Sequence, residues 1–423
     1  LVIHEETPNS MRAGETYLAV GVIGGMVMLM GLFLLYDAVG TLNFVELTNA
    51  SKAYLNAGGS SGRLWASGIC ILFGFGAKAG MVPLHIWLPK AHPIAPAPAS
   101  ALLSGILTKS GIFGAIVISV SLFFKDTRWG VMLASIGMVT MFLGAVLGVF
   151  SIDLKRTLAC SSVSQIGFIT LGIGLICLLG EENALASNGT ILHMINHSMI
   201  KLLLFSSAGV VYMNLHKLNL NDIKGYGRKK PVLKVLFLIG AASISGIPGT
   251  SGYISKTLLH EGIVEFIEHA EHLGLESLSK LFGIYEWVFL VTGGLTFCYM
   301  TKLFICIFVE KNKDAKLQQK YDEGKGYMNK LSTACLAVPA VILTVMGITP
   351  YKSMNGLAEL ARAFLHGYTA YAGSGQSNEV LKDHYAESGS LFRLNAGMLV
   401  ATASTVSDKN QNSEGVDIVF GES

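Results

Sequence analysis

The sequence predicts an all-α protein, a polytopic bundle of transmembrane helices with inverted repeats and two broken helices. Three observations predict it. Hydrophobic residues make up 51% of the chain and charged residues only 14%, against about a quarter charged in soluble domains. The apolar residues collect in blocks of about 20, the length a helix needs to cross a bilayer. Two of those blocks, GFGAKAGMVP at 74–83 and SISGIPGTSGYISK at 243–256, are interrupted by glycine and proline, and each carries a lysine near the interruption.

Taken in order, the apolar blocks predict nine spans, at 17–36, 64–88, 100–124, 129–150, 157–180, 190–214, 231–254, 286–309 and 331–349. Together they form a transmembrane domain over residues 1–350. Residues 351–423 read as a C-terminal tail, amphipathic over 356–372 and poorly ordered from 373. Linkers are short except at 37–63, 255–285 and 310–330. Lysine and arginine distribute unevenly across the two sides. Fifteen fall on the side that holds Arg12, Lys90, Lys155 and the 311–330 linker, and six on the side that holds Lys52, Lys125 and Lys280. Positive charge is retained in the cytoplasm, so the observed start is expected inside and the tail outside.

The same composition excludes several classes. A formal charge of +3 is too small for a nucleic-acid binder. The six cysteines lie inside apolar blocks without a CxxC, which argues against a metal or iron–sulfur site. GFGAKAG satisfies neither the Walker nor the dinucleotide pattern. No cofactor and no metal is expected.

What remains is a set of ionisable residues at bilayer depth. Each lysine there costs at least about 2.5–3.5 kcal/mol on insertion scales. An amine in low dielectric loses its preference for the charged form, and a nearby carboxylate restores it. Alternation between the two states is the chemistry a proton pump needs. Lys78 sits in the first break, which is formed by Gly76, Gly80 and Pro83. Lys256 follows the second, formed by Gly246, Pro248 and Gly249. Lys109 stands about ten residues into its span, in GILTKSGIFGAI. His193, His197 and Lys201, in TILHMINHSMIKLLLF, are spaced four apart, which places them on one helix face. Such a stripe can relay protons with water, because histidine donates and accepts near neutral pH. Two histidines at this spacing can also bind zinc, but no HExxH glutamate accompanies them. Lys302 reads as a snorkelling residue, and His85 as lying near the membrane surface. In lipid, broken helices are tolerated only where protein or water satisfies the freed backbone. A matched pair of them points to an ion site between repeats.

Four stretches carry a resemblance. They are KAGMVPLHIWLPKAHPIAPAPASALLSGILTKSGIFG (78–114), DLKRTLACSSVSQIGF (153–168), HMINHSMIKLLLFSSAG (193–209) and GIPGTSGYISKTLL (246–259). The chain resembles the antiporter-like membrane subunits of respiratory complex I, of energy-converting hydrogenases and of Mrp-type antiporters. The resemblance implies about fourteen helices in two inverted repeats, of which the nine spans match the sixth to the fourteenth. It implies that Lys78 is the proton-holding centre of one half-channel, and that Lys109 links it to the second half. His193, His197 and Lys201 would form the central axis, Lys256 the outward terminus, and Lys155 the lysine of the DLKR turn. The family pairs the lysine at the position of Lys78 with a glutamate in its fifth helix. This chain opens at LVIHEETPNSMRAGETYL, which resembles the family just after that helix, and Glu5 and Glu6 lie in the following loop. An N-terminal truncation is the expectation. The implied function is movement of protons (or Na+) in the cell membrane, as a subunit of a redox-driven complex of NADH:quinone oxidoreductase or hydrogenase type. The implied partners are other membrane subunits, antiporter-like homologues among them, within the lipid bilayer. The alternatives are a subunit of a multi-subunit Na+/H+ antiporter without a redox partner, and a structural scaffold with an inactive channel.

Overall fold

The computed structural model describes residues 2–4, 6–324 and 326–349, so the expected tail at 351–423 lies outside the described residues. Among the described residues fifteen α-helices follow one another. The first eight are α1 (Pro8–Val39), α2 (Phe44–Asn56), α3 (Ser61–Ala79), α4 (Trp87–Ile94), α5 (Ala97–Leu102), α6 (Thr108–Leu122), α7 (Thr127–Phe150) and α8 (Leu154–Leu179). The remaining seven are α9 (Ala184–Leu215), α10 (Leu220–Ile223), α11 (Pro231–Ser245), α12 (Ser251–His272), α13 (Glu276–Phe308), α14 (Ala315–Glu323) and α15 (Lys330–Ile348). Among the described residues the only β-pairing is an isolated bridge between Asp153 and Asn219.

Local sequence sets the helix ends. Thr7 caps α1, accepting from the Ser10 N–H at 3.2 Å, and Pro8 occupies the first turn, where its missing N–H is not needed. Asp126 caps α7 and Asp153 caps α8, the latter accepting from the Arg156 N–H at 2.8 Å.

Among the described residues, eight helical segments are long and apolar enough to cross a membrane. The seventh expected span, 231–254, takes another form. The helix stops at Ser245, restarts at Ser251 and runs on to His272, so α11 alone is too short to span. The linkers at 37–63, 255–285 and 310–330 are largely helical, in α2, α12 and α14.

Glycine controls the closest helix pair. On α7, Gly137 and Gly144 face Gly167, Leu171 and Ser164 of α8, and a Cβ on Gly167 would stand 2.2 Å from the Met141 nitrogen. With no hydrophobic drive between helices in lipid, such close backbone approach is what holds them together. α8 is thereby buried along nearly its whole length. At the edge, α1 turns Leu18, Met26 and Phe33 outward, as lipid permits.

Segments assigned to one side of the membrane touch each other. Leu154 N–H donates to Leu218 O, and Gly225 N–H to Cys306 O, on the side expected to be cytoplasmic. Lys125 pairs with Glu181, and His269 with Glu182, on the other.

Candidate functional site

At the first interruption, α3 ends on Gly80, whose φ of 85° is the left-handed geometry that glycine adopts readily. The N–H groups of Gly80 and Met81 both return to Gly76 O, at 2.8 and 3.0 Å. Gly76 is therefore an interior residue of α3 that accepts the cap, which corrects its assignment as part of the break; the break lies at Gly80–Pro83. Groups released there find partners. Trp87 Nε1 donates to Ala77 O at 2.8 Å, and Val82 N–H to Thr140 Oγ1 at 3.2 Å. Lys78 differs from expectation. It is exposed in this chain and makes no hydrogen bond or ion pair among the described residues. His85 beyond it is half-buried.

The third span holds an interruption that the sequence did not announce. Between α5 and α6, residues Leu103–Leu107 form a π-helical turn. The widened turn leaves Ser104 O pointing at Lys109, whose Nζ donates to it at 2.6 Å. Lys109 is 8% exposed, and its Nζ also lies 2.9 Å from His197 Nδ1 on α9.

Along α9 the three expected residues share one buried face. His193 bonds to Ser255 Oγ through Nδ1 at 2.9 Å and to Gln165 Oε1 through Nε2 at 3.0 Å. Asn196 Nδ2 donates to Ser251 O at 2.7 Å, tying the same helix to α12. Lys201 is 0% exposed and donates to Leu158 O at 2.8 Å and to Ser161 Oγ.

The second interruption repeats the first in its backbone. Gly246 has a φ of 78°, and Ile247 N–H returns to Ala242 O at 3.1 Å, five residues back, as Met81 does to Gly76. Gly249 is also left-handed, with a φ of 82°. Here, however, the lysine is enclosed. Lys256 is 9% exposed and donates to Ile244 O at 2.8 Å. The amine thus caps a carbonyl at the negative end of α11.

The pieces join into one file. Lys109 touches His197; His193 lies one turn further along α9; His193 touches Ser255; Lys256 is the next residue of α12. No carboxylate pairs with Lys109, Lys201 or Lys256 among the described residues. Their partners are carbonyl, hydroxyl and imidazole groups, so a proton can arrive or leave without breaking an ion pair. Among the described residues no cluster of three or more His, Cys, Asp or Glu has metal-binding geometry.

Residues 1–269 match the family described as NADH:quinone oxidoreductase/Mrp antiporter, transmembrane. The chain belongs to this family. Hydrogenase-4 component B of Escherichia coli is 30% identical over 384 residues, covering 89% of this chain and 55% of that protein. The chain spans about half the length of the curated relatives it matches. In fold it is similar to a chain of the Mrp complex from Dietzia sp., with a TM-score of 0.70 and 22% identity over 84% of this chain and 68% of that one. It is also similar to a chain of respiratory complex I from Thermus thermophilus, with a TM-score of 0.66 and 20% identity over 85% and 70%.

This member of the antiporter family thus brings together Lys109, His193, His197 and Lys256, sets Lys201 one turn beyond His197, and leaves Lys78 apart. Pro248 and Gly249 lie between α11 and α12, and Pro83 lies between α3 and α4. Three lysines take roles the sequence did not resolve. Lys155, counted among cytoplasmic charges, is buried and donates to Ala95 O at 2.9 Å, with the Tyr212 ring 4.8 Å away. Lys302 donates to Ser151 O at 2.7 Å and to Val149 O, holding the end of α7. Lys230 is buried at a loop and bonds the Tyr226 and Tyr321 carbonyls. His92 escaped notice altogether. It is fully buried and stacked on Phe205 at 4.8 Å, and among the described residues both ring nitrogens are unpartnered. Only its place in the KAHPIAPAPAS run hinted at it. Outside the spans, burial lifts the Asp153 carboxyl above its ordinary range, opposed by the Arg156 N–H.

Proposed function

We propose that the chain moves protons across the cell membrane, as an ion-translocating subunit of a redox-driven complex of NADH:quinone oxidoreductase or membrane-bound hydrogenase type. One observation carries the reading: buried amines and imidazoles run in a file from Lys109 through His197 and His193 to Ser255 and Lys256, with 2.9 Å contacts at both helix crossings. Histidine can take a proton on one nitrogen and release it from the other. The amines alternate between charged and neutral forms while keeping their carbonyl contacts. The broken backbone at Gly246–Thr250 offers polar groups that water can join. Lys78 is proposed to serve the same file from the first break, facing another membrane subunit or further chain. Its partners are proposed to be other membrane subunits, antiporter-like homologues among them.

Membrane vesicles carrying the complex test this. Lys109→Ala and Lys201→Ala should leave the complex assembled and lower proton movement at least tenfold. Parental pumping in both variants would reduce the chain to a scaffold. Operation as an Na+/H+ antiporter uses the same file. It would be recognised by co-purification with small antiporter subunits rather than flavin, iron–sulfur or nickel–iron subunits, and by sodium-driven proton movement without an electron donor.

A further inference from the structure

Beyond Lys256, α12 continues for sixteen residues, to His272, and becomes strongly ionisable. His260 lies one turn past Lys256 on the same face. It is only 5% exposed, although the neighbouring helix surface is charged. Its Nε2 is 3.0 Å from Glu286 Oε1 on α13, and its Nδ1 faces Glu261 Oε1 at 3.7 Å without a hydrogen bond. Carboxylates thus face both ring nitrogens and favour the imidazolium form, with a proton on each nitrogen. Glu265 follows one turn beyond Glu261, with a buried oxygen that has no hydrogen-bond partner among the described residues. His269 pairs with Glu182 from the turn after α8 at 3.3 Å.

Between Lys256 and His260 lie two aromatic rings. Phe168 of α8 sits 5.0 Å from Lys256 Nζ and 5.8 Å from the His193 ring. Phe289 of α13 stacks edge-on against Phe168 at 4.8 Å and lies 5.9 Å from the His260 ring. Apolar constrictions of this kind interrupt a water file until the rings move.

We propose that His260 and Glu286 form the outward proton-release station, and that Phe168 and Phe289 are the apolar barrier separating it from Lys256. This rests on the proton-moving function proposed above. The proton on His260 Nε2 passes to Glu286 Oε1 and then to outside water; exchange between the ring nitrogens returns the remaining proton to Nε2; a proton leaving Lys256 Nζ then binds Nδ1 and restores the cation. Glu261 and Glu286 are the charged groups facing the ring, and both favour its cation.

The experiment uses the assembled complex in membrane vesicles, with Lys201→Ala as the reference variant. His260→Gln and Glu286→Gln should assemble normally and slow proton release tenfold or more, and external imidazole should restore part of the rate in His260→Ala. Phe289→Ala should raise passive proton leak severalfold. If Lys201→Ala stops pumping while His260→Gln and Glu286→Gln pump at the parental rate, the release station is wrong and the wider function stands. If Lys109→Ala and Lys201→Ala also pump normally, both fall. Should Glu286→Gln fail to assemble, His260→Gln decides, because glutamine keeps a hydrogen-bonding side chain of similar reach.

Discussion

The two broken helices share a backbone and differ in their lysines. At both, a glycine with φ near 80° ends the helix and the following N–H reaches five residues back. At the second break Lys256 folds onto Ile244 O and is enclosed; at the first, Lys78 is exposed and unbonded among the described residues. The similarity is local, since glycine and the cap geometry need only a few neighbouring residues. The difference is not. Lys256 is covered by Phe168 of α8 and by neighbours of α12 far away in sequence. A lysine near a broken helix is thus a consistent sequence signal, but its burial depends on what packs over it.

Substitutions can break or sharpen this comparison. The largest effect is expected at Gly252, where a Cβ would stand 1.7 Å from Ser243 O, a backbone atom that cannot move aside. Gly252→Ala should destabilise by about 3 kcal/mol or more and reduce the assembled complex in membranes. At the first break, Gly80→Ala meets only the end of Leu88 but forces alanine to a φ of 85°, so about 2 kcal/mol is expected from left-handed strain. Equal losses would mean that the two breaks are supported alike. Next come the lysines. Lys256→Met orphans Ile244 O and should lower stability by about 1–3 kcal/mol. Lys78→Met should stay within about 0.5 kcal/mol. Thermal unfolding of the detergent-solubilised complex measures both, and an equal drop would end the contrast. Lys302→Met removes the amine from the end of α7 and should cost about 1 kcal/mol, with proton movement unchanged. The smallest effect is expected for Lys280→Ala, which breaks an exposed pair with Glu276 and should change stability by less than about 0.5 kcal/mol.

Much of this was legible in the sequence, and the parts that were not share a cause. The spans followed from apolar blocks, and the breaks from Gly80, Pro83, Gly246 and Pro248. The α9 stripe followed from residues four apart. Contact between Lys109 and His197 was beyond reach, because it joins residues 88 apart and depends on a π-helical turn without a strong residue signature. The burial of Lys155 and of His92 escaped the sequence for a related reason. One neighbours a charged turn and the other a proline-rich connection, and both are covered by helices distant in the chain.

The sequence by itself determined the helices, their two interruptions and the face that His193, His197 and Lys201 share. These depend on hydrophobic length, glycine geometry and helical period, all properties of neighbouring residues. Only the tertiary structure decided which amines are enclosed and which touch, drawing Lys109 onto His197 and His193 onto Ser255 while leaving Lys78 outside. Burial is conferred by the helices that pack across a residue, and those come from elsewhere in the chain.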